Sequence, residues 1–333
     1  MPTARKHQVD LTVTPYYHCI SRCVRRAYLC GHDRVSNRDF DHRKQWLVDQ
    51  LHQLTKVFAI RICAYAIMSN HYHLVLFVDS SLAMSWSDEE VVSRWASLFP
   101  MSKAKIWTDL NIINFENMTK EQQEEIIKWR DQLHDISWFM RKLNEFIARQ
   151  ANKEDDCTGR FWEGRFKSQA LLDESALLTC MTYVDLNPIR AGICKTPETS
   201  DFTSIQQRLK AYQKHQPTDS LCDFEVDEVD GDQGNDLVPG VIPCTQKEYF
   251  KLVDATGRLV KSEKAGAIPE HLAPILSRMK IDPNTWLDTV KSLGRAFYGF
   301  IGRSENIEAH MMSLDKKRIH GLKSARRAFR SAA

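Results

Sequence analysis

Apolar and polar positions in the first two thirds of the chain follow two periods. Four segments rich in β-branched and aromatic residues are strand-like: YYHCISR, AIRICAYAIM, HYHLVLFV and GRFWEGRFKSQALL. Helical stripes lie between and after them, in RDFDHRKQWLVDQLHQLTKVF, WFMRKLNEFIARQ and ESALLTCMTYVDLN. The order β-α-β-β-α-β-α predicts an α+β fold of the ferredoxin-like kind, with an antiparallel sheet and helices on one of its faces.

The long stretch before WFMRKLNEFIARQ has helix starts of its own. Ser87 and Glu90 have the spacing of a capping box before VVSRWASLF, and Thr119 and Gln122 have the same spacing before EEIIKWRDQL. These signals predict a helical insertion at about 80–135.

A change in composition marks the next boundary. Residues 216–240 are strongly acidic, contain no Lys or Arg and show no helical period of apolar positions. We interpret them as an acidic linker between an N-terminal domain, 1–215, and a basic C-terminal region, 241–333. Thr245 and Glu248 predict a helix start in that last region, which we expect to be mainly helical.

Composition excludes several classes of protein. Of the 333 residues, 43% are hydrophobic and 27% are charged, as in folded globular proteins. No apolar run approaches the roughly 20 residues of a membrane helix, and the N-terminal MPTARKHQVD lacks the apolar core of a secretory signal. The nine cysteines are odd in number and include no CxxC pair, which argues against a disulfide framework or a structural zinc site. We therefore expect a cytoplasmic protein with reduced thiols and no membrane partner.

Charge is distributed unevenly along the chain. The net charge of +3 combines +4 in residues 1–50, −3 in 51–200, −6 in 201–250 and +8 in 251–333. Two basic regions separated by an acidic one suggest a polyanionic partner. We expect the C-terminal region to add affinity for that partner rather than chemistry.

The sharpest local motif is His71-Tyr72-His73. Residues i and i+2 of a strand lie on the same face, so the two imidazoles could share one divalent cation while Tyr72 faces the core. The alternative is a pair of ordinary surface histidines beside a turn.

A second pair of residues adds a nucleophile. Tyr183 and Asn187 are four apart on a predicted helix and would share one face of it. A tyrosine hydroxyl can act as a covalent nucleophile, but its pKa near 10 means that it needs a polarised electrophile at pH 7. An Asn carbonyl oxygen is a suitable hard ligand for the cation. The alternative is a packed tyrosine and an Asn that ends the helix before Pro188.

Basic residues also interleave with aromatic ones, a mixture suited to phosphates and unstacked bases. The basic members are Arg22, Arg25, Arg26, Arg160, Arg165 and Lys167, and the aromatic candidate for contact with a base is Trp162. Ordinary strand alternation, with core aromatics between solvated charges, explains the same pattern.

Together these segments resemble the IS200/IS605-like (Y1) transposase family, and within it the REP-associated tyrosine transposase subgroup. The matching motifs are YYHCISR, CAYAIMSNHYHLVLFV, WFMRKLNEFIARQ and TGRFWEGRFKSQALLDESALLTCMTYVDLNPIRAGI. They extend over roughly residues 10–210. The insertion and the region after about 215 depart from the compact core of the family and could alter DNA specificity.

The resemblance implies an HUH endonuclease core. In it His71, His73 and Asn187 would be ligands of Mg²⁺ or Mn²⁺, and Tyr183 would be the nucleophile. The implied reaction is cleavage and transfer of single-stranded or hairpin DNA through a 5′-phosphotyrosine. Arg190, in NPIRAG, belongs to the same motif and is included among the candidate DNA contacts.

Three other functions stay open at this point. The chain could be a domesticated nickase that does not mobilise its own gene. It could be a ferredoxin-like module that only binds nucleic acid, or a metal-dependent hydrolase that uses an activated water. Whether it is a monomer or a homodimer is also open.

Overall fold

The structure is a computed structural model that describes residues 8–24, 29–33, 37–226, 239–261, 272–314 and 319–329. It is an α+β protein, as the sequence predicts, with one five-stranded sheet and many helices. The strands are β1 (Tyr16–Arg22), β2 (His32–Asp33), β3 (Arg38–Asp39), β4 (Ile60–Ile67), β5 (His71–Val78), β6 (Lys167–Leu171), β7 (Phe224–Glu225), β8 (Ile242–Thr245) and β9 (Phe300–Ile301).

The large sheet has the order β4-β5-β1-β6-β9. The pairings of β4 with β5, β5 with β1, and β1 with β6 are antiparallel, as predicted. The pairing of β6 with β9 is parallel, so the sheet as a whole is mixed. The prediction of a purely antiparallel sheet is wrong because β9 comes from the distant C-terminal region, whose direction no local pattern sets.

Helices α2 to α7 and α9 each begin at a residue whose side chain caps the helix. They are α1 (Arg43–Val57), α2 (Ser80–Ser85), α3 (Asp88–Leu98), α4 (Lys103–Asp109), α5 (Lys120–Leu133), α6 (Ile136–Glu154), α7 (Glu174–Asp185), α8 (Asn187–Arg190), α9 (Ser204–Gln213), α10 (Gln246–Lys261), α11 (Ala273–Arg278), α12 (Trp286–Ala296), α13 (Ser304–Ser313) and α14 (Leu322–Ala328). Thr119 and Gln122 form the predicted capping box, and Ser87 accepts a bond from the backbone N–H of Glu90. The stretch 80–135 contains α2 to α5, and buried residues of α3, α4 and α5 form an apolar cluster of their own. That this stretch is an insertion stays a prediction.

Helices cover both faces of the sheet. Helices α1 and α6 pack on one face, where Leu51 and Leu143 meet strand residues such as Leu74. Helix α7 packs on the other, where Met181 meets Val75. The prediction of helices on a single face is wrong for a physical reason: every residue of β5 after the first is buried, so neither face of that strand can be left to water.

The C-terminal region shares a core with the N-terminal one. Trp286 and Leu293 of α12 belong to the same apolar cluster as Met181 of α7. Asp185 at the end of α7 accepts a 2.5 Å hydrogen bond from the hydroxyl of Tyr249 in α10. The division into 1–215, 216–240 and 241–333 stays a prediction. In the structure, the described parts of 1–215 and 241–333 pack together through this cluster and through the pairing of β6 with β9.

In the part of the chain that the structure describes, no helix is long and apolar enough to cross a membrane.

Candidate active site

Three histidines lie side by side on the face of the sheet that α7 covers. Two of them are the predicted pair, and the third is not indicated by the sequence. His71 and His73 belong to β5, and their ring centroids are 4.9 Å apart. Ile20 pairs with His73 across the sheet, so His18, two residues earlier on β1, lies on the same face. The rings of His18 and His73 are stacked, and Nε2 of His18 is 2.9 Å from Nδ1 of His73.

The buried histidines are held by further polar groups. Nδ1 of His18 is 2.7 Å from Oε1 of Gln169 on β6. The Gln169 amide nitrogen donates at 3.0 Å to the carbonyl of Phe297, directly after α12. Nδ1 of His71 is 2.5 Å from Oδ1 of its neighbour Asn70.

Burial makes these imidazoles neutral. Removal from water lowers the pKa of His18 to about 4. Burial, helped by the charge of Arg22, lowers the pKa of His71 to about 4. The pKa of His73 lies well below its usual value, mainly through burial and then through its two histidine neighbours. Neutral imidazoles are the form that binds metal ions.

Tyr183 of α7 lies against this histidine group. Its ring is edge-on to His73 at 5.7 Å and to His18 at 6.1 Å between centroids. The guanidinium of Arg190 lies over the same ring at 4.6 Å, and it donates a hydrogen bond to the backbone carbonyl of Lys291 in α12. Gly294 of α12 lies so close to Tyr183 that an added Cβ atom would be 2.7 Å from the Tyr183 hydroxyl. Tyr183 is only 9% exposed.

Asn187 is positioned differently from the prediction. The sequence predicts one continuous helix that carries both Asn187 and Tyr183, but α7 ends at Asp185 and Asn187 begins the short helix α8. Pro188 explains the interruption, because it has no N–H to donate to the carbonyl of Val184 and its ring crowds that carbonyl. The Asn187 side chain is buried, and its amide nitrogen has no hydrogen-bond partner among the described residues.

His71, His73 and Asn187 carry atoms of the kind that bind a cation, and the cation site itself stays a prediction. In the described ranges, no three His, Cys, Asp or Glu side chains are grouped so that they could hold a metal ion. His71 and His73 use Nδ1 in hydrogen bonds, which leaves Nε2 of each ring for a ligand. Rotation of the Asn187 side-chain amide by 180° would put its oxygen in the place of the unpartnered nitrogen, where it could bind a cation. Two imidazoles and one carbonyl oxygen suit Mn²⁺ or Mg²⁺ with open positions rather than a closed structural site.

The candidate DNA contacts lie in different surroundings. Arg22 pairs with His71 at the end of β1, and Lys167 begins β6, paired with Ile20. Arg160 and Arg165 are exposed in the loop before β6.

Trp162 is buried, with its indole edge-on to Tyr72 and its N–H donated at 2.9 Å to the carbonyl of Asn144. Arg25 and Arg26 lie outside the described residues. The binding roles of all these residues stay predictions.

Sequence reasoning missed His18, Gln169 and Gly294. His18 lies inside the YYHCISR motif, but its face relative to His73 depends on the pairing of β1 with β5. Gln169 and Gly294 carry no local signal, since a lone Gln in a strand and a lone Gly in a helix are common.

Comparisons with known proteins add one similarity. No protein-family model matches the chain. No curated protein matches it. A solved structure described as a REP-associated tyrosine transposase bound to a REP hairpin matches with a TM-score of 0.38 and 11% identity, over 72% of this chain and 99% of that chain. A similarity at that level says nothing about the activity of this chain.

Proposed function

We propose that this protein is a tyrosine HUH transposase that cleaves and rejoins single-stranded or hairpin DNA through Tyr183. The observation that carries the proposal is the contact between Tyr183 and His73, which are far apart in the chain and were assigned to one site from sequence motifs alone. A structural tyrosine needs no buried group of neutral histidines beside it.

The reaction follows from the chemistry of the tyrosine. The Tyr183 oxygen attacks phosphorus, the bond to the 3′-oxygen breaks, and the products are a 5′-phosphotyrosine and a 3′-hydroxyl. The phenolic proton is released to solvent, and the leaving oxygen takes one from it. Because the covalent link keeps the energy of the phosphodiester, a second 3′-hydroxyl can reverse the step and join strands. The Arg190 guanidinium lies over the Tyr183 ring and helps to hold the ring in place.

A bound Mg²⁺ or Mn²⁺ would be held by His71, His73 and Asn187 and would polarise the scissile phosphate. The residues of this chain supply the rest. Tyr183 packs against His18 and His73, which orients the nucleophile. Because little of the Tyr183 side chain is exposed, access of water to it is limited.

The arrangement of the sheet supports an HUH core. The strands β1, β4, β5 and β6 have the order and the antiparallel pairings of a ferredoxin-like sheet, with the histidines on a central strand. Arg22 lies on β1, the strand next to that histidine strand, and Lys167 lies on β6, on the other side of β1. Arg160 is exposed in the loop before β6, and all three would contact DNA phosphates.

Covalent trapping tests the proposal. Wild-type protein is incubated with Mn²⁺ and a labelled library of random single-stranded and hairpin oligonucleotides, and denaturing electrophoresis detects a protein–DNA adduct. Tyr183→Phe is expected to lose the adduct and keep DNA binding, because only the hydroxyl is removed. Tyr212→Phe, an exposed tyrosine on α9, is the matched control and should trap DNA normally.

The other functions give different products. DNA cut by wild type without an adduct indicates a hydrolase, and DNA bound but uncut indicates a binding module. An adduct that never passes its strand to an added 3′-hydroxyl indicates a nickase. An adduct formed by Tyr183→Phe contradicts the assignment of the nucleophile.

A further inference from the structure

We propose that His18 and Gln169 are positioning residues, which together with the backbone carbonyl of Phe297 fix His73 in the tautomer whose Nε2 lone pair faces the cation site. This inference rests on the proposed function and deepens it, because it assigns a role to residues outside the His71-Tyr72-His73 motif. It also brings the C-terminal region into the chemistry of the site.

The direction of the chain of hydrogen bonds is set at its far end. A backbone carbonyl can only accept, so the side-chain atom of Gln169 that lies 3.0 Å from the Phe297 oxygen is the amide nitrogen. The amide oxygen of Gln169 therefore faces Nδ1 of His18, at 2.7 Å. An amide oxygen also only accepts, so the proton of His18 is on Nδ1.

The same logic passes through the two rings. A neutral imidazole carries one N–H, so Nε2 of His18 holds a lone pair and accepts from Nδ1 of His73 at 2.9 Å. His73 then carries its proton on Nδ1 and presents the lone pair of Nε2. The opposite tautomers would place a lone pair of His18 against the oxygen of Gln169, with no proton between them.

Burial makes the chain of bonds rigid. His18 is fully buried and His73 is 3% exposed, so water does not compete for their nitrogens. His71 is held locally by Asn70, whereas His73 depends on contacts from β1, β6 and the segment after α12. Partners that orient a metal-binding histidine typically account for a 10- to 100-fold effect on metal affinity.

Binding of Mn²⁺ alone tests the inference without DNA or turnover. Gln169→Met keeps the size of the side chain and removes both hydrogen bonds, so His18 and His73 can exchange tautomers. We expect its Mn²⁺ affinity, measured by electron paramagnetic resonance titration, to fall about 10- to 100-fold. Gln206→Met on α9 is the matched control: Gln206 is 7% exposed against 8% for Gln169 and also donates to a backbone carbonyl, but it does not touch the site. Its Mn²⁺ affinity should equal that of wild type.

A second measurement holds even if Gln169→Met folds poorly. In ¹⁵N-histidine-labelled wild type, long-range ¹H–¹⁵N correlation spectra should show His73 and His18 each protonated at Nδ1. A His73 protonated at Nε2 overturns the inference, as does unchanged Mn²⁺ affinity in a folded Gln169→Met.

Failure of the proposed function gives a different result. If wild type binds no Mn²⁺ or forms no adduct while both rings are protonated at Nδ1, the hydrogen-bond chain stands and the transposase assignment falls.

Discussion

Replacing Gly294 by alanine should separate the activity of this protein from its stability. Gly294 lies on α12, and its added Cβ would be 2.7 Å from the hydroxyl oxygen of Tyr183. An ordinary contact needs roughly 0.8 Å more, given that non-bonded heavy atoms attract best at about 3.5 Å. The tyrosine ring is held between His73 and Arg190, so the hydroxyl has to move with the whole ring or push α12 away.

The close contact should slow adduct formation, whereas alanine itself should favour the helix. A displacement of about 1 Å at a reacting atom can cost about 100-fold in rate, so we expect adduct formation to slow by roughly 10- to 100-fold. Alanine in place of glycine inside a helix favours folding by up to about 1 kcal/mol, which offsets the strain of the contact. The free energy of unfolding should therefore change little.

The assay is single-turnover formation of the Tyr183–DNA adduct, with urea unfolding and DNA affinity measured on the same samples. Ser292→Ala is the control, because the Ser292 hydroxyl bonds only to a carbonyl of its own helix among the described residues. An adduct rate for Gly294→Ala within twofold of wild type would refute the claim that α12 fixes the position of the nucleophile.

Three further predictions concern stability. Burial raises the pKa of Asp185 from 3.8 to about 6, so the folded state favours the neutral carboxyl. This preference stabilises the fold below about pH 4, and the stabilisation is lost as the pH rises through 6. Asp185→Asn should remove about 3 kcal/mol of pH dependence between pH 4 and 7, seen in urea unfolding at each pH, and an unchanged pH profile would exclude a titrating Asp185. A chain ending at Gln216 loses the residues that cover α7 and should show no cooperative thermal transition by circular dichroism; a sharp transition would mean that 1–215 folds alone. Leu143→Ala, at a fully buried position of α6, should cost about 2–5 kcal/mol of unfolding free energy, and a loss below 1 kcal/mol would mean that the cluster around it closes over the cavity.

Local patterns in the sequence were enough for the elements that depend on nearby residues. Thr119 and Gln122 cap α5 as predicted, since a capping box joins groups three residues apart. His71 and His73 lie on one strand face because the two-residue period of a strand is a property of the backbone itself. The α+β class followed from the order of such segments.

Only the tertiary structure decided what covers each element. The hydrophobic period of a segment reports which of its positions avoid water, and it does not report which other segment excludes that water. For that reason the sequence did not indicate that helices lie on both faces of the sheet, or that β9 joins β6 in parallel.

The same limit applies to the site. His18, Gln169 and the carbonyl of Phe297 meet only because β1, β6 and the end of α12 are brought to one place. His73 and Tyr183 could be proposed as one site from the sequence because short motifs carry them. His18 and Gln169 could not, because their hydrogen bonds join residues far apart in the chain, and a strand register or a helix packing angle is fixed by the whole core.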